Sequence, residues 1–323
     1  MASQNIEQTG AQPTPPGGGY PTGGKANVPK AFSWTPYVFL APYLFLFTVF
    51  VLVPAVFGLW ISLHNWDYLL PEQPWVGFEN YTNLFTPGSP TAAFFWQSMQ
   101  ATGIFTLFSV PLLVIIPLLV ALILNQHFRG RNFFRAMYFA PYVLGVAVIG
   151  VLWQYMLNPG FGVINYYLGL IGIGDGAVPW TTAMPWAWIS LVGMTVWWTL
   201  GFNAIIYLAG LQDIDPELYN AAKVDGANSW QRFQYVTLPG LRPVFLFVIT
   251  VTILASANMF GQSYLVTDGA PANETRTAIM YIAEEGLENF RMGSAAAMSY
   301  VLALFLVLIS ILNFRFLNQK EED

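Results

Sequence analysis

The sequence predicts an all-α membrane protein with six transmembrane helices and a helical cytoplasmic loop. Only 9% of its 323 residues are charged and 55% are hydrophobic, whereas soluble globular chains carry roughly 25% charged residues. Six apolar segments, none containing Asp, Glu, Lys or Arg, approach the ~20 residues that a spanning helix needs. These segments are approximately Tyr37–Leu63, Ala101–Leu124, Ala136–Met156, Trp186–Leu211, Val244–Phe260 and Ala295–Phe314.

The two ends of the chain are predicted to be tails. Residues 1–35 are rich in Gly, Pro, Thr and Gln, so they bury too little apolar surface to fold and are expected to be disordered. Within this tail, Gly19, Gly24, Lys25 and Ala26 nearly spell a phosphate-binding loop. The Ser or Thr that would bind magnesium is missing and no strand precedes the glycines. We therefore expect no nucleotide site here, a six-span membrane domain over 36–316, and a short tail over 317–323.

The basic residues between the spans set the orientation. Basic side chains concentrate on the cytoplasmic side of a membrane protein. Of twelve Lys and Arg residues, only Arg276 and Arg291 fall on one side of the predicted topology. The other ten are Lys25, Lys30, Arg129, Arg131, Arg135, Lys223, Arg232, Arg242, Arg315 and Lys320. Both termini and the loop over 213–243 are therefore predicted to be cytoplasmic.

That cytoplasmic loop carries strong helix signals. Asp215 can cap a helix, Pro216 suits its first position, and Glu217 places an anion in the first turn. Gly226 can adopt the left-handed conformation that ends helices. A second short helix is predicted to be capped by Ser229 and broken by Leu238-Pro239-Gly240.

The loop resembles the conserved cytoplasmic loop of binding-protein-dependent ABC transporter permeases of the carbohydrate-uptake branch. That family's pattern is Glu-Ala-Ala, three residues, Gly, nine residues, Ile, one residue, Leu-Pro. Matching positions here are Ala221, Ala222, Gly226, Val236, Leu238 and Pro239. Asn220 stands where the family usually has Glu, which puts any polar contact of that Glu with the ATPase in doubt.

The resemblance implies the transmembrane domain of a type I ABC importer in a prokaryotic inner membrane. Such a subunit pairs with a homologous permease, two ATPase domains that use ATP-Mg, and an extracytoplasmic solute-binding protein within membrane lipid. It implies no cofactor or metal on this chain, no catalysis and no nucleic-acid partner. Coupling to the ATPase would involve Glu217, Asn220, Ala221, Ala222, Asp225 and Gly226.

Polar residues in or near the spans are candidates for a substrate pathway, because such residues usually face partner helices or water-filled cavities. The candidates are Asn203, Ser256, Asn258, Gln262 and Tyr264. Amides and aromatic rings suit the hydroxyls and apolar faces of a sugar. Amides also hold helices together, so a structural role stays open for each.

Other functions leave weaker signals. An ion-coupled secondary transporter of a small polar solute is the main alternative. Proton coupling generally needs an ionisable group in the membrane, and the predicted spans have none, although sodium coupling through backbone carbonyls stays open. A membrane enzyme is disfavoured because the chain has no Cys, two distant His residues and neither an HExxH nor a GxSxG pattern. A non-transporting assembly protein would not need polar residues in its spans.

Overall fold

The computed structural model describes residues 35–172 and 178–318, and its regular elements there are helices. The predicted tails over 1–35 and 317–323 and the glycine pattern at Gly19–Ala26 lie largely or wholly outside the described residues. The chain divides into two units between Leu52 and Val53. The described part of the first unit consists of helix α1, Thr35–Phe47, and a π-helical turn, Thr48–Leu52.

The second unit contains the remaining helices. The longest are α4, Pro90–Asn125, α8, Trp186–Asp213, and α14, Met292–Asn318. The others are α2 Val53–Ser62, α3 Glu79–Asn83, α5 Arg131–Val143, α6 Val146–Met156, α7 Val163–Leu170, α9 Pro216–Val224, α10 Ser229–Arg232, α11 Leu238–Gly240, α12 Arg242–Ala257 and α13 Ala278–Ala283. Between the third and fourth predicted spans, the short helix α7 covers the apolar stretch Val163–Leu170.

Length and hydropathy support the predicted membrane class. Four stretches are long and apolar enough to cross a membrane, and there are six spans if each of two bent helix pairs counts as one. The four are Tyr37–Ser62, Pro90–Asn125, Trp186–Asp213 and Met292–Asn313. The bent pairs are α5 with α6, and the helix Ser229–Gly240 with α12. The fold class is therefore confirmed, with two spans differing in form from the prediction.

The third predicted span, Ala136–Met156, is not one continuous helix. It bends by 97° between α5 and α6. Leu144 and Gly145 at the break have extended backbones, with ψ of 137° and 152°. Pro141 near the end of α5 has no N–H to donate to the helix. The predicted span is present as a bent pair of helices, and the apolar pattern alone did not indicate the break.

The pair formed by α4 and α8 is the centre of the second unit, and α12 packs against α4. Tyr207, Leu211 and Val248 are buried in one cluster between these helices. At Gly201 on α8 the backbone of α5 comes so close that an added Cβ would overlap the carbonyl oxygen of Tyr138. Only the absence of a side chain allows this contact.

A buried amide compensates for a proline in α4. In an α-helix the N–H of residue 117 would donate to the carbonyl of Leu113, but Pro117 has no N–H. Asn203 Nδ2 on α8 donates to that carbonyl oxygen instead, at 3.0 Å. The structural role that the sequence left open for Asn203 is therefore real.

We expect Asn203→Leu to lower the free energy of unfolding by about 1–2 kcal/mol, because it leaves the Leu113 carbonyl unpaired. In a Pro117→Ala background the new N–H satisfies that carbonyl, so the same substitution should cost less. A double-mutant cycle from thermal unfolding in detergent measures this coupling. Equal costs in the two backgrounds would contradict the assignment.

Candidate functional site

The first helix of the loop over 213–243 forms as its sequence predicts. The side chain of Asp215 accepts a hydrogen bond from the backbone N–H of Glu217 at 2.8 Å. Pro216 occupies the first helical position and α9 ends at Val224. Gly226 follows with a φ of +80°, the left-handed backbone that glycine adopts without steric cost. The predicted start and stop of this helix are confirmed.

The second helix differs from its prediction in two ways. Asn228, not Ser229, caps it, because the Asn228 side chain accepts from the N–H of Gln231 while the Gln231 side chain accepts from the N–H of Asn228. This reciprocal pair uses two N–H groups that would otherwise be unpaired. Leu238-Pro239-Gly240 does not break the helix. It forms α11, which a π-helical turn, Phe233–Thr237, connects to α10.

One face of α9 is anchored to the body of the second unit. The Tyr219 hydroxyl lies 3.0 Å from Thr237 Oγ1. Tyr219 and Val236 pack against the buried cluster that contains Tyr207 and Leu241. The position of α9 is thus coupled mechanically to α8 and α12, the helices that flank the loop.

The opposite face of the loop is open. Of the predicted coupling residues, Glu217, Asn220, Ala221, Asp225 and Gly226 are exposed and Ala222 is half-buried. Large apolar side chains accompany them, and we call the following residues the docking surface. It consists of Leu218, Ala221, Val224, Gly226, Trp230 and Tyr235. Val224 is 88% exposed. Apolar side chains grouped in this way on an exposed loop mark a protein interaction site.

The structure brings four of the five predicted pathway residues to one cavity. The cavity has a volume of about 370 Å³ and lies among α4, α5, α8 and α12. Asn203, Ser256, Asn258 and Gln262 line it. Tyr264 does not line it, and its ring stacks on Phe260 with centroids 5.2 Å apart. The place of Tyr264 in the pathway stays a prediction, because it contacts the cavity-lining Phe260 but does not line the cavity itself.

The four lining residues differ in whether their polar groups are already hydrogen-bonded within the chain. Asn203 is bonded to the Leu113 carbonyl, and the Ser256 hydroxyl lies 3.1 Å from that of Ser109 on α4. Asn258 Nδ2 donates to the Leu254 carbonyl at 2.8 Å, which leaves its Oδ1 as an acceptor. Gln262 is half-buried and its amide makes no hydrogen bond within residues 35–172 and 178–318. Gln262 and Asn258 are therefore the amides most available to a ligand.

Sequence reasoning missed an aromatic wall of this cavity. Tyr142 and Phe202 stack with ring centroids 4.7 Å apart and an interplanar angle of 18°. Trp198 Nε1 donates to the Leu144 carbonyl at 3.0 Å, which uses an acceptor freed where the helix breaks after α5. Tyr142 lies two residues before that break and lines the cavity. Pro141 and Gly145 within an apolar run were the available signal.

A buried charge cluster fixes the loop between the last two spans. The Arg276 guanidinium lies 5.1 Å from the Phe94 ring centroid and 4.6 Å from that of Tyr281. It also bonds Glu284 at 3.1 Å. Burial raises the pKa of Glu284, opposed in part by Arg276. Burial, together with the charge of Glu285, raises the pKa of Tyr281 to about 12. Tyr281 thus stays neutral at physiological pH, and the cluster ties α13 to α4.

Known proteins resemble this chain over most of its length. Residues 94–320 match the family described as "Binding-protein-dependent transport system inner membrane component". The chain is 33% identical over 276 residues to the trehalose/maltose transport system permease protein MalF of Thermococcus litoralis, covering 84% of this chain and 91% of that protein. It is 33% identical over 297 residues to the lactose transport system permease protein LacF of Rhizobium radiobacter, covering 91% and 97%.

A solved structure shares the fold. It is a chain of a bacterial alginate ABC transporter in complex with an alginate pentasaccharide-bound periplasmic protein. The superposition has a TM-score of 0.73 at 24% sequence identity and covers 87% of this chain and 92% of the other. This chain therefore shares the fold of that transporter chain.

Proposed function

Because this chain belongs to the family of binding-protein-dependent transport system inner membrane components, we propose that it forms half of the translocation pathway of an ATP-driven sugar or oligosaccharide importer. The observation that carries the proposal is the docking surface, since the family's loop pattern falls on a helix that is anchored on one face and exposed on the other. An ion-coupled transporter has no use for such a surface. The chain is a transport component rather than an enzyme.

The remaining subunits follow from this assignment. A homologous permease would complete the pathway, and two ATPase domains would bind ATP-Mg and dock on α9 and the residues that follow it. An extracytoplasmic solute-binding protein would deliver the sugar. The alginate transporter was solved in complex with a periplasmic protein that carries an alginate pentasaccharide. With both termini cytoplasmic, the ten basic residues and α9 lie on the ATPase side.

The cavity chemistry supports a neutral sugar. Among the residues that the structure describes, its lining contains amides, hydroxyls and aromatic rings and no charged side chain. An anionic sugar in a poorly solvated cavity would need a cation to offset its desolvation. Relatives named for trehalose, maltose and lactose carry neutral cargo, in contrast to the acidic alginate of the solved structure. We infer that this chain's cargo resembles the former.

Uptake in proteoliposomes that contain the full set of subunits tests this. We expect Gln262→Leu to raise the KM for a neutral oligosaccharide about tenfold, because a sugar hydroxyl loses its amide partner. Basal ATP hydrolysis should stay unchanged. Tyr264→Phe is the matched control, since Tyr264 lies beside the cavity-lining Phe260 but outside the cavity. A normal KM in Gln262→Leu would show that the cavity is not part of the substrate pathway.

The choice between an importer and an ion-coupled transporter needs a separate measurement. Uptake should persist when ion gradients are collapsed while ATP is kept, and should stop when ATP is removed. Loss of uptake with the gradient, at constant ATP, would overturn the importer assignment whatever the Gln262 variant does.

A further inference from the structure

A short segment between the second and third spans combines positive charge with exposed aromatic rings. We call residues 127–135 the basic turn. It starts two residues after the end of α4 at Asn125 and runs into the first turns of α5. It contains Arg129, Arg131 and Arg135. The chain as a whole has a net charge of −5, so the positive charge of this cluster is opposite in sign to that of the whole chain.

The charges of the basic turn are not neutralised within the part of the chain that the structure describes. Neither described ion pair involves any of its three arginines. Arg135 Nη2 donates to the Leu124 carbonyl at 3.2 Å, which fixes one guanidinium beside the end of α4. Arg129 is exposed and Arg131 is half-buried. Both border an open concavity of about 500 Å³ formed by residues 127–133.

The aromatic rings form a connected row beside these arginines. The ring centroids of Phe128 and Phe134 are 5.9 Å apart, and those of Phe133 and Phe134 are 5.8 Å apart. Phe133 is 68% exposed. A cationic and aromatic segment at the end of a spanning helix lies where lipid phosphates meet the acyl chains.

We propose that the basic turn binds the headgroups of anionic phospholipids in the cytoplasmic leaflet. Arg129 and Arg131 supply the charge that a headgroup phosphate complements, and Phe133 occupies the acyl boundary beneath it. Each interfacial arginine is worth a factor of about 5 in affinity for an anionic surface. Because the turn leads directly into α5, whose Tyr142 lines the cavity, lipid binding there would position α5.

The absence of cysteine from the chain gives a direct test. Asn132→Cys, at an exposed position of the basic turn, gives this chain one site for a fluorophore. The labelled chain is assembled with partner subunits whose own cysteines have been replaced, and the transporter is reconstituted in phosphatidylcholine nanodiscs. Phosphatidylglycerol carrying a headgroup spin label should quench it at least fivefold more effectively than spin-labelled phosphatidylcholine. Arg129→Gln with Arg131→Gln should abolish that preference. Arg315→Gln with Lys320→Gln, an equal charge loss elsewhere on the cytoplasmic side, should retain it.

Four outcomes would overturn the proposal. The first is equal quenching by the two lipids, and the second is an equal loss of preference in both double variants. The third is a preference present in the isolated chain but absent from the full assembly, which would mean that the ATPase covers the turn. The fourth is displacement of the labelled lipid by millimolar inorganic phosphate. If a higher concentration of labelled lipid then fails to restore the quenching, the turn binds a free anion instead.

Discussion

Gly226→Asp is expected to abolish coupled uptake while leaving the chain folded and ATP hydrolysis by the assembled transporter active. An added Cβ at Gly226 meets no atom within 4 Å in this chain, so the cost within the subunit is the backbone strain at a φ of +80°, about 1 kcal/mol. The new carboxylate, however, stands beside Asp225 on the docking surface. There it must lose its hydration against the partner, which we expect to weaken docking by several kcal/mol.

Parallel assays of uptake and ATP hydrolysis in the same proteoliposomes measure this separation. We expect uptake to fall at least tenfold and hydrolysis to lose its dependence on the loaded binding protein. Gly226→Asn is the matched control, because asparagine has nearly the same shape and tolerates the left-handed backbone but carries no charge. Normal transport by Gly226→Asp at normal abundance would refute the assignment of α9 as the coupling helix.

Gly201→Ala should have a large effect on folding. The added methyl would overlap the carbonyl oxygen of Tyr138 and lie 2.5 Å from the Cα of Phe139. Both atoms belong to the backbone of α5, so no side-chain rotation relieves the clash and the helices must separate. We expect a loss of about 3 kcal/mol in the free energy of unfolding, and a low amount of protein in the membrane.

A second glycine on α8 provides the control. An added Cβ at Gly193 meets no atom within 4 Å, and alanine is the better helix former by about 1 kcal/mol. Gly193→Ala should therefore leave the midpoint of thermal unfolding in detergent unchanged or slightly raised. Equal stability of Gly201→Ala and Gly193→Ala would show that α5 and α8 are not in backbone contact.

Local signals made much of the fold predictable. The apolar runs gave the spans because a bilayer requires such lengths. Asp215, Pro216 and Gly226 gave the bounds of α9, since capping depends on neighbours within a few residues. Tertiary contacts were not required for either inference, which is why both agree with the structure.

The features that depend on distant residues were not predictable in the same way. The bend at Leu144 is accompanied by a hydrogen bond from Trp198, more than 50 residues away in the sequence. Asn203 has a structural partner because Pro117 on another helix lacks an N–H. The cap at Asn228 is by contrast a local feature that the sequence analysis missed, since Gln231 three residues later completes the reciprocal pair. For the cavity, residue type alone identified four residues that line it, whereas the fifth candidate, Tyr264, does not line it.

The exposed docking surface also has a consequence for the life of the subunit in the cell. Val224 and Tyr235 are 88% and 71% exposed when the chain is alone. On the proposed topology, a copy without its partner would therefore display to the cytosol the kind of apolar surface by which chaperones and proteases recognise damaged protein. Covering that surface with the ATPase would hide the signal. The surface proposed to couple this chain to the ATPase would then also adjust the amount of this chain to the amount of its partner, because copies made in excess of the partner remain open to degradation.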